Sequence, residues 1–281
     1  MTTESAFNSI ATRARICPPA SDPAIDLAVE TLYRFLAAVF SAPEWGGWPM
    51  ALDPGNQRLA AGAAELLCSE YGDASIDLGF GELSVDQLTI EPLVVELERG
   101  LAAWRDDFAR VFGLGMCRDC PPYETEYHGD ADTFFRSQQM ADVAGFYRAF
   151  GLASEARSRE RPDHLALELE FAAFLIMKER CALGDERARA DGAAGEEPAK
   201  ICRQGRATFL ADHLSWWGPS FVHAVRRKAA GGLYAAAGGV LAALLPIERF
   251  RLGVSPPQLP CVASPSAEPD SCEGCIVEPR T

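Results

Sequence analysis

The chain has 281 residues, 48% of them hydrophobic, which is ample for a sizeable buried core. Asp and Glu number 40 against 26 Lys and Arg, and the resulting formal charge of -14 repels a phosphate backbone, so nucleic acid is excluded as an expected partner. No run reaches the apolar length of a bilayer span, and residues 1–20 hold no apolar signal core. A cytoplasmic location is therefore expected, in which nine cysteines read as reduced thiols or metal ligands and not as a disulfide framework.

In chain order, residues 1–24 are polar, carry Pro18, Pro19 and Pro23, and read as a flexible arm. An all-helical body is expected over 25–252. Its first helix opens near Ala24, with Val29, Leu32, Leu36 and Phe40 at helical spacing, and stops at Ser41-Ala42-Pro43. Gln57 to Tyr71 forms a second. Pro92 sits where a first-turn proline is tolerated, and Leu93, Leu97, Leu101, Trp104, Phe108 and Phe112 then make one stripe, which predicts an unbroken helix. Another covers Gln138 to Phe150 and ends at Gly151. Asp163 is placed to cap the next, which carries Leu165, Leu169, Ala172 and Ile176 on one face and runs to about Leu183.

Residues 184–200 are charged and rich in Gly and Ala, so a flexible linker is expected within the body. Helical patterns resume over Gln204 to Trp217, Ser220 to Ala230, and Leu233 to Leu245, the last stopping at Pro246. Residues 253–281 are proline-rich without periodicity and read as a disordered tail. No run alternates as strands do. The fold class is all-α, a single helical bundle.

Two segments carry the candidate functional residues. In Pro121-Pro122-Tyr123-Glu124-Thr125-Glu126-Tyr127 the paired prolines end the preceding helix and force an extended stretch. The apolar rings and polar tips of Tyr123 and Tyr127 suit either a loop packed on the core or a peptide-binding lip. In Pro162-Asp163-His164 the plain reading is a cap and a first-turn residue. The alternative is an exposed polar pair at the mouth of a groove. His164 and Glu168 also stand one helical turn apart, as two metal ligands would, although a site needs more than two.

Together these segments resemble the TorD, DmsD and NarJ group of redox-enzyme maturation chaperones. That family has a Pro-Pro-aromatic segment ending in a second aromatic after a long helix, then an Asp-His pair opening a helix rich in Leu, Glu and Phe. Leu32, Tyr33, Leu36 and Phe40 before Pro43 are similar to its first helix, and Phe209 to Phe221 to its last helix pair. Arg161 departs from the pattern, because the family often has Glu before that proline. The resemblance implies a chaperone and not an enzyme, with no cofactor of its own. Its implied partner is the apo-form catalytic subunit of a molybdenum oxidoreductase of the dimethylsulfoxide-reductase class, with its twin-arginine signal peptide. Pro122, Tyr123, Glu124, Tyr127, Pro162, Asp163 and His164 are the implied contact residues. From Glu82 to Glu126 ten acidic residues face four basic ones, an excess that attracts a basic peptide.

The competing reading rests on Cys117-Arg118-Asp119-Cys120 and Cys272-Glu273-Gly274-Cys275, two Cys-x-x-Cys pairs with the spacing of a zinc knuckle or a dithiol. No nucleophile elbow, phosphate-binding glycine loop or His-Glu-x-x-His motif is present, so ordinary catalysis has no sequence support.

Overall fold

The computed structural model describes residues 22–113, 119–129, 133–152, 160–184 and 196–257. Most of the expected arm, most of the expected linker and nearly all of the expected tail lie outside these residues, whereas 23–24, 184 and 196–200 belong to helices. The described elements are α1 (Pro23–Phe40), α2 (Trp48–Leu52), α3 (Pro54–Tyr71), α4 (Glu91–Leu97), α5 (Gly100–Phe112), α6 (Thr133–Ala149), α7 (Leu165–Gly184), α8 (Glu196–Phe209), α9 (Ser215–Ala229) and α10 (Leu233–Leu252). Short 3-10 turns cover Pro43–Trp45, Val85–Gln87 and Glu124–Tyr127. The fold is all-α, and one contiguous apolar cluster runs from Ile25 to Ile247.

Local chemistry sets the helix starts. Asp22 accepts a hydrogen bond from the Ala24 N–H at 2.8 Å and Pro23 fills the first helical position of α1. Asp53 does the same for α3 through the Asn56 N–H at 2.9 Å, ahead of Pro54. At the other end of α1, the Ser41 N–H and hydroxyl both bond the Ala37 carbonyl, which stops the helix.

Helix boundaries differ from the sequence expectation at several points: α6 begins at Thr133, α8 at Glu196, and Pro219 lies inside α9 where a break was expected; two further differences have a backbone cause. The helix predicted to run unbroken from Pro92 to Phe112 is two, because Gly100 takes a left-handed backbone (φ +81°) between α4 and α5. Leu93 and Leu97 then bury from one segment, and Trp104, Val111 and Phe112 from the other. The second difference is at Pro246, which lies inside α10 instead of ending it. Pro246 has no N–H for the Ala242 carbonyl four residues back, and the Leu83 N–H of a distant loop donates to that carbonyl at 3.0 Å. Leu244, Leu245 and Ile247 are fully buried around the proline, so packing holds the helix where propensity would end it.

α10 is the central helix, packed on α1, α4, α5 and α9. It is long and apolar enough to cross a membrane by length and composition, but 78% of that window is buried inside this body. Its final turns carry charges that fold inward. Arg249 is 2% exposed and donates to both Glu82 oxygens, through Nε at 2.7 Å and through Nη2, and to the Asp77 carbonyl at 2.8 Å. Arg251 joins Asp26 and Glu248 in the same way, next to Arg206. Removing one partner of a fully desolvated pair leaves the other charge uncompensated. Arg249→Met should therefore lower unfolding free energy by about 3–5 kcal/mol. Urea denaturation of the variant measures this, and a change below about 1 kcal/mol would show that the pair is solvated.

Candidate functional site: a buried loop junction beside an open groove

The two singled-out segments meet. Tyr123 and His164 form an isolated antiparallel bridge, with the Glu124 N–H donating to the Asp163 carbonyl and the Leu165 N–H to the Pro122 carbonyl, each at 2.9 Å. Extended backbone imposed by Pro121-Pro122 makes that pairing available. At its centre the Asp163 carboxylate is fully buried. It accepts from the Thr125 N–H (3.2 Å) and hydroxyl (2.8 Å), and from Arg161 through Nε (3.0 Å) and Nη2 (2.7 Å). Arg161 also donates to Glu126 at 3.1 Å and to the Thr125 hydroxyl, and its guanidinium lies 4.3 Å from the centre of the Tyr123 ring. The residue that departs from the family pattern is thus the clasp of the junction.

Asp163 does not cap α7, and the pair is not exposed. His164 is 3% exposed, and it makes the cap, its Nδ1 accepting from the Ala166 N–H at 3.1 Å. Asp163 is occupied across the junction and turned away from the helix start. His164 packs edge-on between Trp45 and Tyr123, with ring centres 5.2 and 5.1 Å away. Burial first, and the Arg161 charge second, lower its pKa to about 3. It is therefore neutral, with the acceptor on Nδ1 and its proton on Nε2.

A second polar cluster supports the same loop from behind. Glu124 is fully buried, and its carboxylate lies 3.0 Å from His213 Nδ1 and accepts from Trp216 Nε1 at 3.2 Å. Burial opposes its ionisation, but hydrogen bonds with His128 and His213 outweigh that and hold the carboxyl below its usual range. Glu168 receives Trp217 Nε1 at 3.1 Å, and burial together with the nearby Glu124 charge drives its pKa well above the usual carboxylate range. His213 comes from a π-turn, Leu210–Leu214, that joins α8 to α9 and closes on the Ser215 N–H bond to the Leu210 carbonyl. Tyr127 is buried against Trp217, with ring centres 5.3 Å apart.

Next to the junction opens a groove of about 750 Å³. One wall is α1 with the turn and α2 that follow it (Arg34, Ala38, Trp45, Met50), and the opposite wall is α6 with Tyr147 and Arg148. Along its side α7 presents Leu167, Glu170, Phe171 and Phe174, one helical face at i, i+3, i+4 and i+7. The turn holding Trp45 depends on two glycines. Gly46 has φ +85°, and a Cβ at Gly47 would stand 3.2 Å from the Ala38 carbonyl oxygen. Tyr147 ties the groove to the junction by donating to the Pro162 carbonyl at 2.7 Å.

Of the residues implied by the resemblance, Tyr123 and Pro162 are partly exposed, whereas Pro122, Glu124, Tyr127, Asp163 and His164 are buried. Pro162 lines the groove, and the buried ones shape its end. Sequence reasoning missed Trp45, Met50, Tyr147, Leu167, Phe171 and Phe174. Two signals were available: the Trp between helix ends flanked by Gly46-Gly47, and the surplus apolar face of α7 beyond the one it buries. Four of the acids from Glu82 to Glu126 are both buried and paired. Glu82 pairs with Arg249, Asp107 with Arg99 and Arg110, Glu124 with His213, and Glu126 with Arg136 and Arg161. The acidic surface is correspondingly smaller than the sequence count suggests. Among the described residues no three His, Cys, Asp or Glu side chains stand together as a metal site. Cys120 is buried, and Cys117, Cys272 and Cys275 lie outside the described residues.

The structure is an all-α body with an open groove whose end is held by buried polar groups. Comparison with known sequences is specific. The nitrate reductase delta subunit family matches residues 85–223. The chain is 35% identical over 232 residues, 83% of its length and 93% of the relative's, to the selenate reductase assembly chaperone protein of Thauera selenatis. It is 34% identical over 117 residues, 42% of this chain and 54% of the other, to the chlorate reductase assembly chaperone protein of Ideonella dechloratans. Chaperone protein TorD of Photobacterium profundum matches at 26% over 148 residues, 52% and 63% of the two chains. The chain belongs to the TorD/NarJ-type family of redox-enzyme maturation chaperones, which assist assembly and are not catalysts.

The pKa of His164 makes the junction pH-sensitive. Its folded value of about 3 lies below the ordinary 6.5, so the unfolded chain binds the proton first as pH falls. The stability it contributes is complete above about pH 6.5 and is lost progressively toward pH 3, at up to about 1.4 kcal/mol per pH unit. His164→Asn keeps a capping side chain and removes the titration. Urea unfolding across that range should show a shallower acid slope in the variant, and equal slopes would mean that His164 is not buried as a neutral ring.

Proposed function

We propose that this chain is a cytoplasmic chaperone dedicated to a molybdenum oxidoreductase of the dimethylsulfoxide-reductase class. In this reading it binds the apo catalytic subunit, holds its twin-arginine signal peptide in the groove between α1, α6 and α7, and delays export until the cofactor is inserted. The observation that carries it is the groove: about 750 Å³, walled by Trp45, Tyr147, Phe171 and Phe174, and open beside the Tyr123–His164 column. That volume suits the burial of a few apolar side chains, and aromatic walls supply contact area at low entropic cost. The family and the names of its relatives support a reductase as client. Selenate and chlorate reductase are the clients named for two of them, which favours an oxyanion reductase here. Pro162 lines the groove and Tyr123 stands at its end, while Pro122, Glu124, Tyr127, Asp163 and His164 act by holding that end in shape.

The test uses a fluorescent peptide with an Arg-Arg pair followed by an apolar stretch. Phe174 is partly exposed, so Phe174→Glu should fold normally and weaken binding by about tenfold or more, because a desolvated aromatic contact is replaced by a charge. Unchanged affinity in both Phe174→Glu and Trp45→Ala would place the peptide elsewhere.

A further inference from the structure

The groove is not uniformly apolar, and its charges are unequally committed. Arg34 is bound to Glu30 at 3.0 Å and contacts the Met177 sulfur at 3.6 Å. Glu160 accepts from the Arg161 N–H at 2.9 Å and hydrogen-bonds Tyr123. Glu170 differs: among the described residues its carboxylate has no hydrogen bond and no ion pair, although it leaves α7 between Leu167 and Phe171 and lines the groove. Partial burial raises its pKa and the charge of Arg34 lowers it, so the groove presents an exposed carboxylate that one arginine acts on through space and that no hydrogen bond among the described residues holds.

We infer that Glu170 is the specificity residue of the groove, receiving a guanidinium or ammonium group of the bound peptide, an inference that rests on the groove being the peptide site. Three features converge on a cation at this place. The free carboxylate is an acceptor of the right charge. The neighbouring ring of Phe174 already faces a cation, with Lys178 Nζ 5.3 Å from its centre, so these walls tolerate positive charge. Arg148 lines the same groove and repels a cation set down near it, which favours the Glu170 carboxylate as the cation's partner. The apolar residues next to the peptide's basic group then lie on Leu167, Phe171 and Phe174. Selection thus comes from one placed carboxylate and one repelling arginine, and not from the -14 of the whole chain.

The experiment titrates the full chain and its Glu170→Gln and Glu170→Arg variants with two labelled peptides, identical except that one carries Arg-Arg and the other Gln-Gln before the apolar stretch. Glu170 is exposed and makes no hydrogen bond or ion pair among the described residues, so both variants should keep the wild-type melting temperature. Wild type should prefer the Arg-Arg peptide by about tenfold or more. Glu170→Gln should bind the Gln-Gln peptide as wild type does and lose the preference, and Glu170→Arg should reverse it. A Glu170→Gln protein that still prefers Arg-Arg overturns the role of Glu170 while leaving the groove assignment standing. Failure of wild type to bind either peptide overturns both.

Discussion

A single buried carboxylate holds the functional end of this molecule together. Asp163 has no access to solvent, so its carboxylate oxygens must find their hydrogen bonds within the protein, and bonds to a charged partner such as Arg161 are each worth about 1.5–3 kcal/mol. Arg161 and Thr125 supply them from two loops far apart in sequence. Because the same guanidinium reaches Glu126 and covers Tyr123, the loop 121–127 cannot be shifted without unpairing Asp163. Shape at the groove's end is therefore enforced by charge buried behind it. The groove needs no mobile lid to present its aromatic surface.

That arrangement explains how one helix serves two purposes. α7 buries Leu165, Leu169, Ala172 and Ile176 in the core and shows Leu167, Glu170 and Phe174 to the groove. Its start is pinned by His164, whose ring is both helix cap and packing block between Trp45 and Tyr123. A helix apolar on both sides is normally sealed inside a protein. Here one side stays available, and an exposed apolar surface of this kind marks an interaction site.

Most of the fold was legible in the sequence, since apolar residues at helical spacing located most helices and Pro92 marked the start of one. Two of the misread boundaries trace to backbone effects that periodicity does not encode. At Gly100 a left-handed residue splits an unbroken stripe, and at Pro246 the carbonyl left without a partner is met by Leu83, from a loop in the other half of the chain. The site was legible as a pair of segments but not in its polarity. Asp163 and His164 read equally well as an exposed pair, because nothing in the sequence shows that Arg161 and Thr125 would close over the acid. Acid counting failed for a related reason: Glu82, Glu124 and Glu126 find their partners on other elements, and only the fold removes them from the surface.

The central claim is that the junction of residues 121–127 with 161–164 is a rigid support for the groove and is held by Asp163. Amide hydrogen exchange in Asp163→Ala against wild type tests it most directly. If the claim holds, the Glu124, Thr125 and Leu165 amides and the first turn of α7 exchange much faster in the variant, while α10 keeps its protection. Uniform acceleration across the chain, or no change at those amides, would contradict it.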